Sequence, residues 1–356
     1  MYYPEQRYCT ELMRIRRKAM LPEIAIGNVQ VQVGKTVDVR DTVARGLIPA
    51  RHVIIEAVEE LHLHDPSELS DLLLVGLRTR VEEGEPIAGR DPEKGRRIFA
   101  PFAGVVIAVN NGRIIMQEMP EIISLGAGVR GRVTEVHEGR GVSIEATGAV
   151  IQGVWGNERN VISTLRLEPE RGGVRSIPLE SLDTTYQNEI IITRTTLDAD
   201  VLVIAQAREF SGIIAPSMDA TMLEPIRQSR LAVMLTEGFG DMRMNQTTFR
   251  LLQTLDGKQA MLDAAQPQRF TDRRPEVIVN RPTNEEILDI SNKALEEGMS
   301  VRITRAPYAG EIGTIIEIPK QPVMLENGLR VRCAVVDILR EEYIDVPLVS
   351  LELAGT

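Results

Sequence analysis

Between Gly298 and Ile318 the chain alternates apolar and polar residues and interrupts that alternation with proline and glycine. Val301-Arg-Ile-Thr-Arg305 has the period of two expected of a strand, whose successive side chains point to opposite faces. Pro307-Tyr-Ala-Gly310 supplies turn residues, and Gly313 restarts a strand that runs to Ile318. Glycine at 313 suits a place where two backbones pack closely. Such a segment folds into short strands joined by tight turns. The 28 glycines, 19 prolines and only 4% aromatic residues extend that expectation to the whole molecule.

The same signature recurs upstream. Val29, Val31 and Val33 alternate with Gln30 and Gln32 before Gly34 opens a turn. Residues 50–75 predict a helical or irregular insertion: His52–Leu63 is apolar-rich, and Asp65-Pro66-Ser67 has the residues to cap a short helix. Strand character resumes at Val81–Ala88 and Ala100–Gln117. Asn111-Gly112, between two apolar runs, predicts a type I′ hairpin, because that turn needs positive φ at both central residues. Gly128–Val136, Gly141–Glu145 and Gly148–Gly156 form a glycine-punctuated β segment, either a second barrel or a continuation of the first.

From 186 to 282 the pattern changes. Val201–Ala205, Gly212–Pro216 and Leu231–Leu235 read as buried strands. Thr221–Arg230 reads as a helix capped by Asp219, and Asn245–Leu255 as a second helix. Lys258–Leu262 and Pro275–Val279 read as further strands, and this alternation predicts an α/β layer with parallel strands. The expected architecture is multi-domain, mainly β with one α/β domain. It comprises an N-terminal arm or short helix (1–25), a β domain (26–125), the glycine-rich β segment (126–185) and the α/β domain (186–282). A helix from Asn284 to Glu296 then leads into a C-terminal small β-barrel (283–356).

A length of 356 residues implies two to four modules, and 43% hydrophobic residues suffice for their cores. A net charge of -10 argues against nucleic acid coating the entire surface, but leaves room for a local basic face. The arm is where positive charge gathers: Arg7, Arg14, Arg16, Arg17 and Lys18 face only Glu5 and Glu11 through Met20. Cys9 and Cys333 suggest no disulfide framework. No apolar run reaches membrane-span length, and Tyr2, Tyr3 and Pro4 do not begin a signal peptide, so the expectation is a cytoplasmic protein.

Candidate sites are few. Thr236-Glu-Gly-Phe-Gly-Asp241 follows an expected parallel strand, the place where open α/β sheets bind ligands. Thr236, Glu237, Gly238, Gly240 and Asp241 are therefore the candidate ligand-binding residues, with a structural turn and a partner contact as the other readings. Trp155, the only tryptophan, is either a core plug or a partner anchor, with Arg159 beside it. His62-Leu-His64-Asp65 has metal-like composition, but no further ligand lies nearby and no metal is assigned. Cys333 reads as a core thiol. No set of catalytic residues assembles, and no cofactor is implied.

Three resemblances refine this. Val301, Ile303, Ala306, Pro307, Tyr308, Gly310, Gly313 and Ile315 match the turn pattern of the KOW module of NusG-type elongation factors and ribosomal proteins. Val346–Glu352 resembles the closing strand of that module, with Ser350 where asparagine is common. The resemblance implies a small β-barrel that contacts RNA, ribosomes, RNA polymerase or proteins, with Arg302, Arg305, Pro307 and Tyr308 as candidate partner-binding residues. Acidic residues outnumber basic ones from 298 onward, which favours protein docking, although Arg302, Arg305, Arg330 and Arg332 are able to share a sheet face. Val81, Gly84, Ile87 and Ala88, with Ala100, Pro101, Gly104 and Val106, resemble the barrel-sandwich hybrid of biotinyl and lipoyl carriers. The methionine-flanked lysine of those carriers is missing, and Lys94 sits in a polar loop. Residues 186–282 resemble, in order of elements, the swivelling domain of phosphoenolpyruvate-using enzymes, but Ser217–Thr221 holds no histidine to carry phosphate.

The expected function is that of a non-enzymatic adaptor or assembly protein that docks macromolecular partners through its β modules. The first alternative is a transcription or translation factor binding RNA, ribosome or polymerase. The second is a ligand sensor or enzyme using the 236–241 loop. Oligomeric state stays open.

Overall fold

Arg14, Arg16 and Lys18 are exposed, while Ile15, Arg17 and Ala19 between them are buried. That alternation is a strand's, not a helix's, and it places residues 9–20 of the expected arm or short helix in a long β-strand. The computed structural model describes residues 7–179, 184–267, 273–283, 287, 294–305, 307–308, 310–338 and 343–353. The protein is mainly β, 44% strand against 14% helix, in several sheets. None of the described residues closes a barrel, and no described helix is long and apolar enough to cross a membrane.

The N-terminal half holds β1 (Cys9–Met20), β2 (Ile26–Val29), β3 (Thr36–Val37), β4 (Thr42–Ile48) and β5 (His52–Ile55). A short α1 (Ala57–Leu61) and a 3-10 turn over Pro66–Leu72 follow within the expected insertion. Asp65 caps that turn by accepting from the Ser67 amide at 2.8 Å, while Glu68 reaches back to the Asp65 amide. Next come β6 (Arg80–Val81), β7 (Pro86–Gly89), β8 (Arg97–Phe99), β9 (Gly104–Asn110), β10 (Arg113–Glu118), β11 (Glu121–Gly126), β12 (Gly131–His137) and β13 (Gly141–Gln152). The β9–β10 hairpin turns at Asn111 (φ 49°) and Gly112 (φ 74°), the positive pair expected of that dipeptide. Sheet β5–β10–β9–β6 packs its own core around Ile87, Val106, Ile114 and Met116. Sheet β11–β4–β2 packs toward β1 and β13: Val29, Val43 and Leu125 share a core with Ile15, Val142 and Ile144.

The α/β layer consists of β14 (Trp155–Gly156), β15 (Asn160–Leu167), β16 (Ile190–Ile192), α2 (Ala199–Ala207), β17 (Gly212–Met218), α3 (Leu223–Gln228), β18 (Ala232–Phe239), α4 (Gln246–Thr254), β19 (Gln259–Asp263) and β20 (Glu276–Asn280). β15 through β18 are parallel, as the alternating pattern expects. Helices α2 and α3 cover one face over Ile191, Ile213 and Val233, and α4 covers the other over Ile190, Ile214 and Met234. Val201–Ala205 lies in α2, not in a strand. Five apolar residues fit either element, and Asp198 decides between them by accepting from the Val201 amide as an N-cap.

The C-terminal unit contains β21 (Ser300–Ile303), β22 (Ile312–Glu317), the small hairpin β23 (Val323–Met324) and β24 (Arg330–Val331), β25 (Cys333–Asp337), β26 (Tyr343–Pro347) and β27 (Leu351–Leu353). Its five-stranded sheet runs β26–β25–β22–β21–β27, and no ladder joins β26 to β27 among the described residues. The expected small β-barrel is thus an open sheet in its hydrogen bonding among the described residues, with a 3-10 turn over Leu348–Ser350 between the two edge strands. A Cβ on Gly313 would meet the Asp337 carbonyl oxygen at 2.5 Å, so β22 and β25 pack closely there. The expected helix Asn284–Glu296 falls almost wholly outside the described residues.

One strand joins the first two regions. β13 pairs with β1 along one edge from Gly141 to Ile151. Its other edge is divided: β12 takes Gly141–Glu145 and β20 takes Gly148–Gln152. Arg17, facing inward from β1, bonds Asp263 at 3.2 Å, lies 3.9 Å from Glu276 and donates to the Ala127 carbonyl at 3.2 Å. Asp263 and Glu276 are cross-strand partners on β19 and β20, and burial pushes the Glu276 carboxyl above its usual range while Arg17 pulls it back.

Replacing Arg17 with Met is expected to cost about 3 kcal/mol in urea unfolding, since it removes the buried partner of Asp263, which among the described residues keeps only the exposed Arg273 at 3.6 Å, and the cation nearest the half-buried Glu276. Glu276→Gln tests the opposite term. A carboxyl whose folded pKa is raised stabilises the protein below its ordinary value of 4.5 and loses that contribution as pH rises. The stability of the wild type relative to Glu276→Gln should therefore fall as pH rises above about 4.5.

Candidate functional site

β18 ends in the candidate loop. Thr236 is buried, and Glu237 holds a carboxylate whose side chain is only 3% exposed. Two groups satisfy it. The Asn245 amide, at the N-cap of α4, donates to Oε1 at 3.0 Å, and Arg302 of β21 donates to Oε2. Arg302 and Glu352 are cross-strand partners on β21 and β27. Glu352 in turn takes Arg7, whose Nε donates at 2.9 and 2.7 Å to the two carboxylate oxygens. Nη1 of Arg7 donates to the Thr236 carbonyl at 2.7 Å. Two acids and two guanidiniums from the arm, the α/β layer and the C-terminal sheet thus form one neutral, largely buried junction.

Electrostatics follow from this burial. Desolvation, with repulsion from Arg7, lowers the Arg302 pKa to about 10, and Glu352 opposes that shift. Burial pushes the Cys9 thiol up, while a 3.7 Å contact with Thr248 and the fields of Arg302 and Arg7 pull it down. Thr236 Oγ1 and Arg302 Nε find no hydrogen-bond partner among the described residues. Among the described residues the arrangement offers no free base and no surplus charge to hold an ion. What it does is position: it fixes three chain segments against one another.

The structure therefore brings together two residues from different sequence motifs, Glu237 and Arg302, and turns each toward the other. Gly238 is buried in β18, and Gly240 is exposed beyond it. Asp241 is exposed and accepts from Thr196 Oγ1 at 3.0 Å, which itself lies 3.2 Å from Ser217 Oγ. Trp155 pairs with Leu235, is 9% exposed, and meets Phe239 edge-on at 5.9 Å. Phe239, 43% exposed, is the residue of this loop that sequence reading passed over. Arg159, Arg305 and Pro307 are exposed, and Tyr308 packs partly against the C-terminal core. His62 closes α1 in the left-handed conformation, and His64 is exposed in the next turn. Lys94 is exposed in the loop between β7 and β8. Arg7 and Glu352 had no local signal, since they lie 345 residues apart.

No known family model matches the chain, and no curated protein matches it.

The Cys9 thiol reports on the junction. Raised above its ordinary value of 9.0, it stays protonated and should alkylate slowly at pH 8 in the native protein. Glu352→Gln takes the carboxylate from Arg7 while Arg302 keeps Glu237, which leaves one positive charge in excess beside the thiol, so the thiolate is favoured. Its native-state alkylation should speed several-fold and the pH midpoint of the rate should move down, with Cys333 unchanged, as read by mass spectrometry.

Proposed function

We propose that this chain is a non-enzymatic cytoplasmic docking protein whose β units present surfaces to a macromolecular partner, chiefly another protein. The observation that carries this is an apolar row on sheet β11–β4–β2. Ile122, Leu47 and Ile26 are direct cross-strand neighbours, exposed at 75%, 40% and 71%. Ile24, 66% exposed, lies in the turn that precedes β2, two residues before Ile26. Single exposed apolar residues are ordinary, but a contiguous row across three strands marks a contact surface. The opposite side of the same sheet is an ordinary core of Leu21, Ala25 and Ala44.

Finer fold assignments belong to this proposal. The 52–118 unit, with its Ala100–Val106 turn and tight hairpin, is read as a barrel-sandwich hybrid. The C-terminal sheet, with its close-packed Gly313, is read as KOW-type, and the parallel layer as swivelling-like. The buried pairing of Arg302 shifts the C-terminal unit toward protein contact rather than RNA contact.

Affinity capture from native extract tests the reading. Wild type is expected to retain a defined protein partner, and Ile26→Asp/Ile122→Asp should lose it while melting within about 0.5 kcal/mol of wild type, as exposed substitutions do. Retention of the same partner by the double variant would refute the assignment of this face.

A further inference from the structure

We propose that the outer face of β1, β13 and β12, with the groove beside the end of α4, binds single-stranded nucleic acid. This surface is separate from the apolar row and has the opposite chemistry.

Register builds the face. Arg16 of β1 stands across from Glu145 of β13, which stands across from Arg132 of β12. One row further along, Arg14 faces Thr147, whose carbonyl accepts from the Arg281 amide at 2.9 Å. Lys18 faces Ser143 on the other side. Arg14, Arg16, Lys18 and Arg132 are all exposed, as is Arg281 at 63%. Alternate residues on a strand lie about 7 Å apart, so β1 offers a ladder of cations along a line.

The acids on this face are Glu145, which pairs with Arg14 at 3.2 Å, Glu11, 4.0 Å from Arg281, and Glu135, 3.7 Å from His137. Among the described residues, five cations against three carboxylates leave a positive surplus here, on a chain that carries -10 overall. The ladder leads into a groove of about 600 Å3. Its floor is Ala149, Leu255 and Val279, and Lys258 and Arg281 stand at its rim.

Two features select the ligand. A row of cations spaced along a strand suits a phosphate backbone, which supplies many anions in line. An apolar floor beneath that row can take an unstacked base, which a single strand can turn outward and a duplex cannot. Among the described residues no aromatic side chain lines the groove, so stacking is weak and binding should be sequence-tolerant and strongly salt-dependent.

Fluorescence anisotropy with labelled oligo(U) and oligo(dT) tests this on the full chain. Binding at about 50 mM salt should weaken roughly 10- to 100-fold by about 200 mM, the slope expected for three to five phosphate contacts on a single strand. Arg14→Gln/Arg16→Gln/Lys18→Gln should reduce affinity at least tenfold with an unchanged melting curve. Glu145→Gln should tighten it, which a merely structural role for the face would not produce. Arg330→Gln/Arg332→Gln in the C-terminal unit should bind as wild type. No binding at low salt, equal binding by the triple variant, or retention by anionic phosphatidylglycerol vesicles or polyglutamate in place of the oligonucleotides would each overturn the proposal. None of these results bears on partner capture by the apolar row.

Discussion

The division of one edge of β13 between β12 and β20 is the constraint on which the architecture depends. A strand has two edges, and β1 occupies the whole of the first. The second is shared, so the N-terminal β region and the α/β layer continue each other through a single backbone. The side chains divide in the same way. Val142, Ile144, Ala146 and Val150 enter the N-terminal core, whereas Ala149 and Ile151 lie under α4. The two regions therefore cannot move as bodies on a linker, because their hydrogen bonds belong to one sheet. These pairings join residues more than a hundred positions apart, the non-local kind of contact whose loop-closure entropy slows folding.

The C-terminal unit is attached by other means. Its own core is separate, built from Val301, Ile315, Val336 and Leu351. What fixes it to the rest is charge: Glu237 with Arg302, and Arg7 with Glu352. Buried ion pairs of this kind add little net stability, because desolvation offsets their attraction. Their effect is geometric. Each guanidinium needs its carboxylate at hydrogen-bonding distance, so a misplaced unit would leave charges buried and unpaired. An apolar contact would tolerate sliding, and this one does not.

Features that rest on local chemistry were legible in the sequence. Asn111-Gly112 turns where it must because few dipeptides accept positive φ twice. Asp65 and Asp219 cap helical turns as their side chains dictate, and Asn245, read as the start of a helix, is its N-cap. Gly313 sits where β22 and β25 touch. Val201–Ala205 reads as a strand and is a helix: an apolar run has no period to read, and Asp198 settles it from outside the run. The junction was illegible for a different reason. Glu237 and Arg302 each look like free functional groups in their own motif, and only the tertiary fold shows that they face each other. Arg17 was counted with its neighbours as arm charge, although strand parity turns it inward to Asp263.

That parity is what allows one strand to serve two purposes. The inward set, Ile15, Arg17 and Ala19, fills a core and neutralises two carboxylates, so it cannot vary without cost to the fold. The outward set, Arg14, Arg16 and Lys18, contacts solvent and is free to answer to a ligand. A slip of β1 by one residue would exchange the sets, burying three cations and exposing the apolar face. The Arg17–Asp263 pair forbids that slip, because it forms only in the observed register. The buried ion pair therefore fixes the direction in which the basic face points, and the surface chemistry of the strand is set from within the core.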